Sequence, residues 1–327
     1  MGTLFSNFRN EGSEGSEGSE GSEGSSGNTF MVSGIAAYAG DVTSPLLAQA
    51  LVTTRGELTR GFAKGLGTPN LTLSQVAAEA VFGRWSHQVR GELYLFEMLS
   101  GLRMESDRSG GATLYSGDPK WSVSIKRPAF DTDEHTLKEE LGYVLKMATL
   151  RNDRMAEILT QVAVPKSFFA MVLNLRPDQH RYTYEVMAAA LMLSAAAVMQ
   201  FKHHFRVRRP AERSPLVQAV LLTPGHASYP AGHSTQGHIL RSVLTRLVSA
   251  KEELDDQLER LADRVGENRI VAGLHFKSDI DAGAKLGAEL AAYFVKKSEA
   301  SRSEKPEGPS SALAWLWAKA KAEWEEQ

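Results

Sequence analysis

The chain has 327 residues, of which 42% are hydrophobic and 23% charged, with a net charge of −2 and no cysteine. Those proportions belong to an ordinary globular protein with material for one large domain or two ordinary ones. The near-neutral balance gives no bulk attraction for nucleic acid, and the lack of thiols excludes disulfides, zinc–thiolate centres and cysteine nucleophiles.

Residues 1–10 hold no apolar core of a secretory signal, so the expectation is a soluble, cytoplasmic protein with export left open. Residues 11–25 are five copies of Glu-Gly-Ser, which offer nothing to bury and read as a solvated tether. The expected organisation is an N-terminal tail at 1–10, a flexible linker at 11–27 and a single helical domain at 28–327. Pro45–Lys64 and Leu73–Met104 show apolar residues at spacings of three and four, the helical period, with a break near Trp85. Residues 107–128 differ. Gly110-Gly111, Gly117-Asp118-Pro119 and the alternation Trp121, Val123, Ile125 predict a loop or a short hairpin.

Helices are expected again at Thr136–Thr149, Asp153–Val162 and Arg181–His204. The last carries the longest apolar run, Val186–Met199, fourteen residues with one serine inside. A membrane span needs about 20, so the expectation is a buried core helix and no membrane span. Leu216–Tyr229 contains Pro224-Gly225 and reads as irregular. Helices follow at Ser234–Ser249, Lys251–His275 and Ser278–Lys297, then a polar loop at 298–310 and a last helix over Ser311–Glu325. The fold class is therefore all-α, a helical bundle with a minor irregular or hairpin segment near 107–128.

Three stretches carry the chemistry: Lys202 to Pro210, Tyr229 to His233, and Arg269 to Asp279. They supply Lys202, Arg209 and Arg269 as cations, Gly232 at a turn, His233 and His275 as imidazoles, and Asp279 as a carboxylate. Arginine forks grip oxyanions bidentately and lysine adds a point charge. One histidine can attack or ligate a central atom while the other moves protons. Gly232 lets backbone approach a ligand, and His233 should open the following helix, where N–H groups favour an anion. Arg269 and His275 can share a pocket if the helix ends near Gly273. The four-residue spacing of His275 and Asp279 lets the carboxylate hold one ring nitrogen protonated.

These stretches resemble the motif of the type 2 phosphatidic acid phosphatase superfamily, Lys-x6-Arg-Pro, Pro-Ser-Gly-His and Ser-Arg-x5-His-x3-Asp. Lys202 with Arg209-Pro210, then Pro230, Gly232 and His233, then Arg269, His275 and Asp279 stand at those spacings. The blocks are 19 and 34 residues apart. The chain departs twice, with Ala231 and Asn268 where the family has serines. The first loss removes one hydrogen bond to an oxyanion, roughly 1 kcal/mol.

The resemblance implies a helical catalytic domain of the vanadium haloperoxidase and acid phosphatase type. Its oxyanion site would comprise Lys202, Arg209, Gly232 and Arg269, and its catalytic residues His233, His275 and Asp279. In the haloperoxidase branch vanadate is the cofactor, His275 its axial ligand, and hydrogen peroxide, halide (bromide or iodide) and a small organic acceptor the partners. In the phosphatase branch His275 is the nucleophile on a phosphate ester and His233 the acid. The run from His226 to His233 resembles that of algal bromoperoxidases, which places His226 at a halide site and puts the haloperoxidase first. The alternatives are a soluble acid phosphatase and a non-catalytic phosphate-binding protein, the last supported only by Ala231. A homo-oligomer is compatible with the sequence. His203, His204 and His238 are expected in packing or surface roles, and Arg206, Arg208 and Arg213 on a solvated rim. Trp315 and Trp317 are expected to pack a helix or a dimer contact.

Overall fold

The computed structural model describes residues 49–50, 52–54, 81–108, 110–162, 165–300 and 311–325. The tail at 1–10, the linker at 11–27, and most of the helix expected at Pro45–Lys64 and of the loop at 298–310 lie outside the described residues.

A turn at 83–85 precedes α1 (His87–Leu99), where the break near Trp85 was expected. Ser86 accepts the Val89 N–H at 3.4 Å as the N-cap. The helix does not reach Met104. Residues Leu102–Ser106 instead form β1, which pairs antiparallel with β2 (Ala112–Ser116), itself paired with β3 (Trp121–Ile125). In β3 Trp121, Val123 and Ile125 are buried while Ser122 and Ser124 are exposed. The alternation therefore marks one covered face of a three-stranded meander.

The helices that follow are α2 (Glu134–Met147), α3 (Arg151–Thr160), α4 (Lys166–Val172), α5 (Arg181–Phe205), α6 (Pro210–Arg213), α7 (Gly232–Leu247), α8 (Glu252–Val271), α9 (Lys277–Ala300) and α10 (Ala312–Glu325). α4 is short and lay outside the sequence expectation. α5 is buried along most of its length and packs against α1, α7 and α10. α7 sits between α5, α8 and α9. The covered face of β3 lies on α9, with Trp121 and Tyr293 ring centroids 5.0 Å apart. Trp315 and Trp317 are buried in the same core. α1 is pinned to α5 by Arg90, fully buried, whose Nε donates to Glu185 Oε2 at 3.1 Å. The Tyr94 hydroxyl donates to the same oxygen at 3.2 Å.

α7 and α9 approach closely because α9 is bare where they cross. A β-carbon at Gly283 would lie 2.6 Å from Ala231 O, and one at Gly287 2.5 Å from Thr235 O. Those distances are far inside van der Waals contact, so glycine at both positions sets how near the two helices lie.

The segment Arg181–Arg213, which contains α5, has a mean hydropathy of 1.5 over an 18-residue window and is long and apolar enough to cross a membrane; 78% of that window is buried within the fold. Stopping the count at Val186 and Met199 understated it, because the apolar character of the helix continues past single polar residues such as Glu185 and Gln200.

Candidate active site

Lys202 lies buried in the last turn of α5, where its Nζ donates to Ala227 O at 2.6 Å and Ser228 O at 2.8 Å. Arg206 closes the helix in the left-handed region at φ 53°. The chain then runs extended into α6, and the Arg209 N–H donates to Glu212 Oε2 at 2.6 Å. The Arg209 side chain is buried. Its Nε donates to His226 O at 3.1 Å and its Nη1 to Leu274 O at 3.1 Å. Nη1 is also 3.3 Å from His275 Nε2, and Nη2 is 3.2 Å from His226 Nδ1. Both cations of the first block are thus folded around residues 226–228.

α8 ends in a reversal at Gly273, whose φ is +79°. The Gly273 N–H donates to Ile270 O at 2.8 Å and the Leu274 N–H to Arg269 O at 3.0 Å, the two bonds of a Schellman cap. A side chain at Gly273 would strain the backbone and meet Ala219 Cα at 3.2 Å. The reversal sets His275 just before α9. Asp279 in the first turn of α9 accepts the Phe276 N–H at 2.9 Å through Oδ2, and Glu140 on α2 accepts the Lys277 and Ser278 N–H groups at 2.8 and 3.2 Å. The carboxylates therefore cap the helix and fix the loop that carries His275.

His275 Nδ1 is 3.0 Å from Asp279 Oδ2, and the Ser228 hydroxyl donates to the same oxygen. A carboxylate oxygen only accepts, so Nδ1 carries the proton and Nε2 of the neutral ring keeps its lone pair. Burial pushes the Asp279 carboxyl up to about 6, against the opposing pull of the Ser228 and Phe276 donors and of the Lys202 and Arg209 charges. Asp279 O also accepts the Ala231 N–H at 2.9 Å, which ties α9 to the start of α7. Ala231 is the N-cap of α7, and no side chain caps that end. First-turn N–H groups have no acceptor within their own helix and lie at its positive end. A β-carbon on Gly232 would meet nothing within 4 Å. The turn therefore faces open space beside oriented donors, which is the shape of an anion seat.

His233 and Arg269 meet on a different residue, Gln161, at the end of α3. His233 Nε2 donates to Gln161 O at 2.7 Å. A carbonyl cannot donate, so Nε2 is protonated and Nδ1 is the nitrogen that exchanges a proton. Arg269 Nη2 donates to Ile158 O at 3.0 Å and lies 3.4 Å from Gln161 Oε1. Asn268 Nδ2 donates to Gln161 Oε1 at 3.0 Å and to Glu157 Oε2 at 2.9 Å. Glu157 is in turn clasped by Arg264 at 2.8 and 2.7 Å, which brings its carboxyl down to about 2.

The contacts described above join the site residues expected from the sequence at two places. Lys202, Arg209, His226, His275 and Asp279 are joined around residues 226–228. His233 and Arg269 are joined at Gln161, and Gly232 stands between the groups in the chain. His226 lies on Arg209. Ser228 and Gln161 were not singled out from sequence; Ser228 lay inside a motif run, whereas nothing local marks Gln161. His204 Nδ1 lies 3.3 Å from Ser106 Oγ and His238 Nε2 3.4 Å from Asp263 Oδ1, both away from the site contacts. Arg206 and Arg208 are exposed, but Arg213 is no rim residue, because it pairs with Asp131 on the turn before α2.

No family model matches the chain. It is 38% identical over 63 residues to a non-specific acid phosphatase of Salmonella typhimurium, covering 19% of this chain and 24% of that protein. A Salmonella typhi non-specific acid phosphatase is 38% identical over 61 residues, 19% of this chain and 23% of its own. The chain thus spans about a quarter of the length of these relatives. Among solved structures it is similar to a transmembrane PAP2-type phosphatidylglycerolphosphate phosphatase from Bacillus subtilis, at 18% identity and a TM-score of 0.41, over 54% of this chain and 91% of that one. It is also similar to a bacterial vanadium-dependent iodoperoxidase, at 20% identity and a TM-score of 0.42, over 53% and 52%. The segment that contains α5 is long and apolar enough to cross a membrane, so the expectation of a soluble, cytoplasmic chain is withdrawn. Three motif blocks in order, the contacts that join their residues, and the partial match to acid phosphatases make the chain similar to the type 2 phosphatidic acid phosphatase superfamily.

Proposed function

We propose that this chain hydrolyses phosphate monoesters through a phosphohistidine at His275. The observation that carries the reading is the His275 imidazole, with Nδ1 held by Asp279 at 3.0 Å and Nε2 only 3.3 Å from Arg209 Nη1. A lone pair held beside a guanidinium is placed where an arginine-bound phosphate would present its phosphorus. Lys202, Arg209 and Arg269 would balance the non-bridging oxygens, with the first-turn N–H groups of α7 completing the cradle. In the first step His275 Nε2 bonds to phosphorus, the ester P–O bond breaks, and the Nδ1 proton of a cationic His233 passes to the leaving alkoxide. In the second step His233 Nδ1 takes a proton from water, the water oxygen bonds to phosphorus, and the N–P bond breaks to release phosphate. Gln161 O keeps the other His233 nitrogen protonated throughout. The curated relatives that match are acid phosphatases, which supports placing this reading ahead of the haloperoxidase that the sequence put first.

The haloperoxidase remains the second reading, favoured by one contact, the half-buried His226 imidazole 3.2 Å from Arg209 Nη2. The donor set fits vanadate as it fits phosphate: the same three cations and the Gly232 turn would hold it, with His275 Nε2 as its single protein ligand. When bound, vanadate would supply peroxide activation for halide oxidation. His226 and Arg209 would then orient small polar reactants at the rim.

One preparation decides between them. Hydrolysis of a phenyl phosphate by the vanadate-free protein, inhibited by orthovanadate, supports the phosphatase. Peroxide-dependent bromination after vanadate loading, with no hydrolysis before it, overturns it in favour of the haloperoxidase.

A further inference from the structure

Gln161 belongs to none of the three motif blocks, yet it is fully buried between two residues that are in them. Its side-chain orientation follows from its neighbours. Glu157 is a carboxylate and only accepts, so the group that Asn268 presents to it at 2.9 Å is Nδ2. The second hydrogen of that Nδ2 goes to Gln161 at 3.0 Å, which therefore presents Oε1. Arg269 Nη2, which only donates, approaches the same oxygen at 3.4 Å. Two independent neighbours thus fix the amide the same way round. Gln161 Nε2 is left turned away from them, a buried donor with no hydrogen-bond partner among the described residues.

Such a group is costly to bury unless something completes it. Gln161 O holds His233, the residue after the Gly232 turn, and Gln161 Oε1 meets Arg269, so the amide stands among groups already assigned to the oxyanion. Of the two serines that the resemblance leads one to expect, the one at residue 231 is alanine here and offers no hydroxyl. We infer that Gln161 Nε2 is an oxyanion donor of this site, supplying from the end of α3 a neutral hydrogen bond of the kind lost at Ala231. The inference rests on the proposed oxyanion cage and holds for either reaction on it. It gives Gln161 a binding role in place of a purely architectural one.

The test uses the full-length protein with inorganic phosphate and orthovanadate as probes, each titrated by calorimetry, alongside the melting temperature without anion. Gln161→Met removes the donor at similar volume, and Gln161→Glu keeps an acceptor for Asn268 and Arg269 while replacing the donor with an anion. The expected result is affinity for both probes lower by about tenfold in Gln161→Met and more in Gln161→Glu, the equivalent of about 1.4 kcal/mol or more. The anion-free melting temperature of Gln161→Glu should stay within a few degrees of the parent. Unchanged affinity in both variants overturns the inference while leaving the cage intact. If either variant fails to fold, a vanadate-soaked crystal of the parent decides, and no anion oxygen within hydrogen-bonding reach of Nε2 overturns it. A parent that binds neither anion sinks the cage, and this inference with it.

Discussion

His275 and Asp279 are four residues apart and joined at 3.0 Å, yet only Asp279 lies in a helix. His275 belongs to the turn between α8 and α9, and Asp279 reaches back from the first turn of α9 to the Phe276 N–H as well as to the imidazole. One carboxylate thus closes a helix end and sets a histidine tautomer. Asp279→Ala is expected to lower kcat for phenyl phosphate by about 10–100-fold, the usual cost of losing a residue that orients an active imidazole. Phosphate affinity should change less, because Lys202, Arg209 and Arg269 remain. Steady-state kinetics together with a phosphate titration check the split.

Ala231 caps α7 without a side-chain hydrogen bond, and its methyl is fully buried. A serine hydroxyl there can accept a first-turn N–H and donate its own hydrogen to an anion. Ala231→Ser should raise folding stability by about 1 kcal/mol and tighten orthovanadate binding by up to about tenfold. Denaturant melts and a vanadate titration measure the two effects separately. Unchanged affinity would mean that no anion oxygen lies within hydrogen-bonding reach of residue 231.

Gly283 carries the contact between α9 and the Ala231 carbonyl. Gly283→Ala has nowhere to put its methyl and should cost about 1–3 kcal/mol by overpacking. Because the displaced atom belongs to the residue before Gly232, anion affinity should fall with stability. Gly287→Ala, whose methyl meets Thr235 O one turn further on, should destabilise the fold with a smaller effect on affinity.

Glu157 contributes to acid sensitivity. Its carboxyl is held down at about 2 chiefly by the Arg264 hydrogen bond, assisted by Asn268 and opposed by burial. A depressed carboxylate adds stability above its unfolded value, near 4.5, and loses it as pH falls toward the folded value. The melting temperature of the parent should therefore fall more steeply from about pH 5 to pH 2 than that of Glu157→Gln. Parallel curves would show that the clasp contributes nothing to stability.

Much of the candidate site is legible in the sequence because its residues lie in three runs of chain with fixed spacing. Lys202 and Arg209 straddle the end of α5, and Gly273 announced the reversal that separates Arg269 from His275. The helix over Arg181–Phe205 was legible from its apolar period, and β3 from the alternation of Trp121, Val123 and Ile125. Gln161 and Glu157 were not, since a lone polar residue brought in from more than 70 positions away leaves no local pattern. The short α4 between Pro165 and Pro177 gave too few residues for a helical period. β1 was taken for helix because only Leu102 and Met104 of its five residues are even partly covered. The partner of His226 could not be read either, because an irregular segment fixes no side-chain direction.

The central claim is a covalent bond between His275 Nε2 and phosphorus. Turnover of a phenyl phosphate quenched rapidly into alkali, digested and read by mass spectrometry tests it directly, since phosphohistidine survives alkali. The account predicts phosphate on the peptide carrying His275 in the parent, with neither adduct nor hydrolysis in His275→Ala. Hydrolysis that persists in His275→Ala, or an adduct on another residue, would contradict it.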